Sequence, residues 1–226
     1  TLSQQAAKNQ MEELKDTVSF GIRLVLFITI PATVGLIVLK GPIINLLFER
    51  GEFTHQSTLA TAHALFYYAV GLCAFSGVKV IVPAFYSLKD TVSPVKVAVL
   101  AMITNIVLNL LLMGPLQHGG LALATSLSSL LNVTLLIFIL RKKIGSIKGR
   151  TILISVVKLT LASIMMGFLI YWINTGFYDM GANVLLKAGV LFGNIALGII
   201  FYFLLSFFLK VEEGKFLINL VKNKLT

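Results

Sequence analysis

The stretch GLCAFSGVKVIVPAFYSLKD, Gly71 to Asp90, decides how the chain is read. It closes an apolar run that begins near Leu59 and continues to Leu88. It also carries a lysine, Lys79, in its middle and a proline, Pro83, four residues on. An apolar run of about 20 residues is long enough to cross a bilayer as a helix. A charged group inside such a run is costly and faces a protein interior or a wet cavity.

Working outward, five further runs of this kind are readable. The six expected spans are Phe20–Leu39, Leu59–Leu88, Val95–Met113, Leu121–Leu140, Ile152–Ile173 and Val184–Leu209. The runs are continuous rather than alternating, which excludes barrel strands. Composition agrees: 57% of residues are hydrophobic and 12% charged, roughly half the charged share of an ordinary soluble domain. The expected fold is an all-α, polytopic membrane helix bundle of six transmembrane helices.

The net charge of +10 suggests nucleic acid at first, but the basic residues sort by membrane side instead. One side holds Lys8, Lys15 and Arg23, then Lys89 and Lys96, the run from Arg141 to Arg150, and the tail lysines from Lys210 to Lys224. The other side holds Lys40, Arg50 and Lys187. The excess of positive charge marks the cytoplasmic face, so both termini are expected there. No short apolar segment with a small-residue cleavage site opens the chain. A polar start on Thr1 is what a piece of a longer chain would show. All nine acidic residues lie outside the expected spans, so the chain offers no intramembrane carboxylate for a proton relay. The lone Cys73 excludes an internal disulfide, and His55, His63 and His118 fit no metal spacing. No nucleophile–base arrangement suggests an enzyme.

Lys79 lies ten residues before Lys89, about 15 Å along a helix. At that depth snorkelling is strained. An interior position is favoured over a surface anchor, and there the ammonium could meet either a substrate or a neighbouring carbonyl. Pro83 cannot donate to the carbonyl of Lys79, which loosens the helix beside it. A second constellation joins spans three and four. Asn105 and Asn109 are i and i+4 on one helix face, and Thr125, Ser128, Ser129 and Asn132 line the next helix. The short GPLQHGG connection makes the two helices antiparallel neighbours. Facing polar groups at matched depth read first as interhelical hydrogen bonds, worth about 1 kcal/mol each. The alternative reading is part of an oxygen cage for a monovalent cation.

Other features carry plainer expectations. Gly189 and Gly193 form a small-xxx-small face expected to pack on span five. Lys158 is shallow enough to snorkel. Tyr171, Trp172, Phe177 and Tyr178 form an aromatic belt at the outer end of span five. In the outer loop FERGEFT, Gly51 permits a sharp turn and Thr54 can cap the following helix. The tail places Phe216, Leu217, Leu220 and Val221 against Lys215, Lys222 and Lys224, the pattern of an interfacial amphipathic helix.

Several of these segments together resemble the MurJ/MviN lipid II flippases of the multidrug/oligosaccharidyl-lipid/polysaccharide exporter superfamily. The resemblance is carried by LLFERGEFT, YAVGLCAFSGVKVIVPAFYSLKDTVSPVK, NLLLMGPLQHGGLALATSLSSLLN and LRKK. It is densest from Gly41 to Lys143. It implies that residues 1–143 are most of the second transporter lobe, and residues 144–226 two additional helices plus the tail. It implies alternating-access transport of the peptidoglycan precursor lipid II from inner to outer leaflet of the bacterial cytoplasmic membrane. Lys79 matches a lysine of the family's VKV segment. The additional helices would line a hydrophobic groove for the polyprenyl tail. Asn105, Asn109 and Thr125, with a carbonyl near Leu121, match a sodium site proposed in the family. Asn109 stands where some members have a carboxylate. The headgroup-binding arginines of the family fall in helices that precede this segment. Related exporters of polysaccharide lipids or drugs, and a non-transporting scaffold of the same fold, are the rival readings.

Overall fold

The computed structural model describes residues 2–8, 10–181, 183–214 and 216. Among them every regular element is a helix. The elements are α1 Leu2–Ala7, α2 Met11–Phe48, α3 His55–Ser87, α4 Val92–Leu116, α5 His118–Ile144, α6 Gly149–Phe177 and α7 Val184–Phe208. Helices α2 to α7 are each long and apolar enough to cross a membrane, and they correspond one to one with the six expected spans. The observed helices run past the apolar runs because polar residues that cannot enter hydrocarbon can still continue a helix. The extension is largest in α2. Its 38 residues give a rod of about 57 Å, well beyond a hydrocarbon core of about 30 Å.

The ends of the helices are set by local chemistry. Thr54 Oγ1 accepts from the amide of Ser57 and caps α3, as its position suggested. Gly51 takes a positive φ of 58° in the turn before it. Asp90 Oδ1 accepts from the amides of Val92 and Ser93 and so starts α4. Between α4 and α5 only Gln117 is left as a link, with φ of 48°. That reversal brings Gly120 so close to α4 that a Cβ there would lie 2.2 Å from the carbonyl oxygen of Leu112.

The helices pack as a row that closes on one side. Helix α4 lies mainly on α5, α5 on α3, and α3 on α2, while α6 and α7 pack together against the far side of α2. One buried cluster joins Leu14, Val18 and Ile22 of α2 to Ile81 and Phe85 of α3 and Leu136 and Leu140 of α5. A second joins Phe27 and Leu39 of α2 to Leu159 and Met166 of α6 and Leu191 and Tyr202 of α7. Helix α2 therefore belongs to both. The remaining surface is apolar, with Leu110, Phe168, Leu185 and Phe208 among the widely exposed side chains, as a chain solvated by lipid requires.

Two expectations need correction. Gly189 and Gly193 face open space, and nothing packs where their Cβ atoms would be. The buried stripe of α7 is Leu191, Asn194, Gly198, Tyr202 and Ser206. Its close contact is made by Gly198, where a Cβ would lie 2.5 Å from Ile170. The 3.6-residue repeat allowed two stripes, and the pair of glycines pointed to the wrong one. Tyr178 also leaves the aromatic belt. Tyr171, Trp172 and Phe177 are exposed, but the Tyr178 hydroxyl reaches α2, at 3.1 Å from the Pro42 carbonyl and 3.0 Å from Asn45 Oδ1. Of the amphipathic tail, Lys215, Leu217, Leu220, Val221, Lys222 and Lys224 lie outside the described residues. Phe216 meets the ring of Phe20 edge-on at 4.9 Å.

Candidate functional site

Three features could serve a substrate path, and each begins from a different helix face. The first is the stripe of α3 that no other helix covers. Lys79, Pro83 and Tyr86 are all exposed and recur at helical spacing. Lys79 makes no hydrogen bond or ion pair among the described residues. It is therefore outside the packed body of these six helices, on a face left open. The opposite face of the same helix is tightly seated. Gly71 admits Ser126 of α5, whose hydroxyl donates to the carbonyl of Tyr67 at 2.6 Å. Gly77 meets Val133 in the same way. This α3–α5 seam orients the lysine stripe, and sequence reading had passed over it. Its sequence signal was the alternation of small residues on the two helices.

The second feature is the polar chain between α4 and α5. Asn109 Nδ2 donates to Asn105 Oδ1 at 3.0 Å, and Asn105 Nδ2 donates to Thr125 Oγ1 at 3.3 Å. Thr125 Oγ1 in turn donates to the Leu121 carbonyl at 2.8 Å. Of the six polar residues that spacing placed on these two helices, the three that the resemblance singled out are thus brought together in one network. Ser128 is not part of it, since its hydroxyl bonds the Ala124 carbonyl of its own helix. One acceptor is left over: Asn109 Oδ1 is buried and has no hydrogen-bond partner among the described residues. The oxygens of Asn105, Asn109, Thr125 and Leu121 fit a weakly held monovalent cation by type, since such ions take carbonyl, amide and hydroxyl oxygens. The set is neutral. Among the described residues no group of three His, Cys, Asp or Glu side chains could hold a metal.

The third feature is a groove of about 600 Å³ between α2, α6 and α7. Phe27, Pro31 and Gly35 of α2 form one wall, Met166 and Ile170 of α6 the floor, and Tyr202 with its neighbours on α7 the other wall. Gly35 leaves space that a side chain would fill, since nothing lies within 4 Å of its Cβ position. The groove follows α2 from Phe27 to Ile43, about 24 Å of helix, so it runs through most of a hydrocarbon core. No charged side chain lines it. An aqueous ligand has nothing to bind there, whereas an alkyl or polyprenyl chain would gain apolar burial along its length.

The ends of the helices on the side of the N-terminus are tied by ion pairs. Lys143 of α5 pairs with Asp90, and Lys148 pairs with Asp16. Lys143 and the amide and hydroxyl of Ser93 hold the Asp90 carboxyl well below the usual carboxylate range. At the opposite end His55 Nδ1 lies 3.4 Å from Glu49.

The comparison that decides kinship is with the family described as Lipid II flippase MurJ, whose model matches residues 1–192. The chain belongs to the MurJ family. Relatives include the probable lipid II flippases MurJ of Vibrio cholerae, 36% identical over 87% of this chain and 38% of that protein, and of Rickettsia prowazekii, 35% identical over 84% and 38%. A third, from Thermotoga maritima, is 33% identical over 89% of this chain and 38% of that protein. Among solved structures, lipid II flippase MurJ in an inward closed conformation superposes with a TM-score of 0.74 at 28% identity, over 92% of this chain and 41% of that one. The chain thus spans about two fifths of the length of the MurJ proteins it matches. MurJ is a family of transporters rather than enzymes, and with its six apolar helices this MurJ chain is a multi-pass protein of the bacterial cytoplasmic membrane.

Proposed function

We propose that this chain is the C-terminal part of a flippase that carries lipid II from the inner to the outer leaflet by alternating access. The observation that carries the reading is the separation of two environments on one body. An apolar groove wide enough for a lipid chain lies between α2, α6 and α7, and an exposed lysine stripe lies on α3. A polyprenyl pyrophosphate needs both. Its chain can stay in hydrocarbon while its headgroup requires a wet, cationic route. In this reading Lys79 faces a cavity completed by the part of the protein outside this chain, and both termini are cytoplasmic. The α4–α5 chain of Asn105, Asn109 and Thr125 would hold a sodium ion, which would supply positive charge between two helices. The buried, unpartnered Asn109 Oδ1 supports that second role.

The test is Lys79→Ala in the full-length protein, scored by rescue of cells depleted of their own flippase. Rescue is expected to fail with Lys79→Ala and to be kept by Lys79→Arg. Full rescue by the alanine variant would remove Lys79 from the path. Failure of the unmodified protein to rescue would set aside lipid II as its substrate.

A further inference from the structure

The C-terminal segment turns back under the bundle after α7. Lys210 takes a positive φ of 51°, and the amide of Val211 donates to the Ser206 carbonyl at 3.0 Å. The turn delivers Glu213 into the protein, where it is fully buried. Its Oε1 lies 2.8 Å from Arg23 Nη1 of α2 and accepts from the hydroxyl of Ser155 of α6 at 3.2 Å. The neighbouring Glu212 also reaches Arg23, at 3.0 Å, but its side chain is 76% exposed. One buried carboxylate thus joins the helix shared by both clusters, the first turns of α6 and the segment after α7.

What this junction supports is the inner end of the groove. Gly214, next to Glu213, lies under Phe27, so that a Cβ at this position would stand in van der Waals contact with the ring, at 3.5 Å. The Phe27 carbonyl accepts from the Tyr202 hydroxyl at 2.7 Å, and the Phe27 ring packs on Tyr202 and Phe203 at 5.3 and 5.7 Å between centroids. These three aromatic side chains line the groove where it ends. A buried ion pair is a poor source of net stability, because desolvation offsets much of the attraction. Its better-attested use is to fix one arrangement among several. A carboxylate in an apolar setting has few places where it can be satisfied; here Oε1 has partners on two other helices, while Oε2 has none among the described residues.

We infer that the Arg23–Glu213 pair is a positioning latch that holds the C-terminal segment under Phe27 and so fixes the inner end of the groove. The pair touches no substrate. It acts through Phe27 and Tyr202, whose placement determines where an apolar chain lying in the groove must stop. Releasing it lets α7 move away from α2 at that end.

The experiment uses the full-length protein with cysteines only at Ile28→Cys and Ile199→Cys, two groove positions on α2 and α7, each carrying a spin label. Glu213→Gln is expected to lengthen and broaden the label distance, and Glu212→Gln to leave it unchanged. The double variant Arg23→Gln/Glu213→Gln strands no buried charge and is expected to lengthen the distance in the same way. It serves if the single variant does not fold. An unchanged distance in the variants that fold overturns the latch. A second readout is transport in vesicles of headgroup-labelled polyprenyl pyrophosphate sugars with long and short chains. This readout rests on the lipid-tail reading of the groove. Loss of discrimination between chain lengths is expected when the pair is removed, and retained discrimination would reduce the pair to a structural tie. If the unmodified protein moves neither lipid, the tail reading fails while the label distances still decide the latch.

Discussion

Gly71 and Ser126 stand so close that a Cβ on Gly71 would lie 2.4 Å from the serine hydroxyl oxygen and 2.8 Å from its Cβ. The hydroxyl cannot retreat without leaving the Tyr67 carbonyl, which it holds at 2.6 Å. Gly71→Ala should therefore push α3 and α5 apart. Overpacking of this kind costs about 1–3 kcal/mol. A fall in the thermal midpoint of the detergent-purified protein checks this. Ser126→Ala should cost less, near the ~1 kcal/mol of one hydrogen bond, and the double variant should recover part of the loss.

The glycines of α7 should divide by position. Gly198→Ala meets Ile170 at 2.5 Å and should destabilise the α6–α7 pair by about 1–3 kcal/mol. Gly189→Ala and Gly193→Ala enter open space and should be neutral or stabilising by up to about 1 kcal/mol, through helix propensity. Three midpoints measured side by side decide the point, and a destabilising Gly193→Ala would contradict the packing described.

Asp90 gives stability a pH dependence of known sign. Its carboxyl is held below the ordinary carboxylate range in the fold, by Lys143 and Ser93. Its contribution is fully present above the unfolded-state value, near pH 4, and is lost as the pH falls from there through the lower folded-state value. Asp90→Asn should remove that dependence. Because Lys143 is partly exposed, the loss at neutral pH should be only about 0.5–1 kcal/mol. Unfolding midpoints of the two proteins should stay apart from about pH 6 to about pH 4 and begin to converge only as the pH falls below that.

Asn109→Asp adds the charge that the α4–α5 oxygens lack. The thermal midpoint of this variant should rise with sodium and stay flat with an equal concentration of choline. At a concentration ten times the dissociation constant the gain would be about 1.4 kcal/mol. A sodium titration that leaves the variant unmoved would return the network to a purely structural role.

The six spans and the pairing of α4 with α5 could be read from the chain because both depend on local facts: run length, and a connection too short for anything but a reversal. The polar face between α4 and α5 was legible for the same reason, but its exact pairing was not: equal distances from the reversal match Thr125 with Asn109, whereas it is Asn105 that donates to Thr125. What escaped was long-range. Glu213 reads as one more solvated tail residue, and nothing local shows that the chain doubles back to meet Arg23, 190 residues earlier in sequence. The groove was expected only through the family resemblance, which gave it to the two added helices; that α2 supplies a wall escaped, because each wall alone is ordinary lipid-facing sequence. Gly198 was hidden by the more regular pair beside it.

Helix α2 has one consequence beyond its packing. Its N-terminal half is gripped by α3 and α5 and its middle by α6 and α7, so a single continuous rod serves two assemblies at once. Adding one residue between Ile22 and Phe27 would turn one half by about 100° against the other. No side-chain substitution could undo that phase error. The two halves of this chain are thus geared through the angular phase of one helix, and length, more than composition, is what evolution is least free to change there.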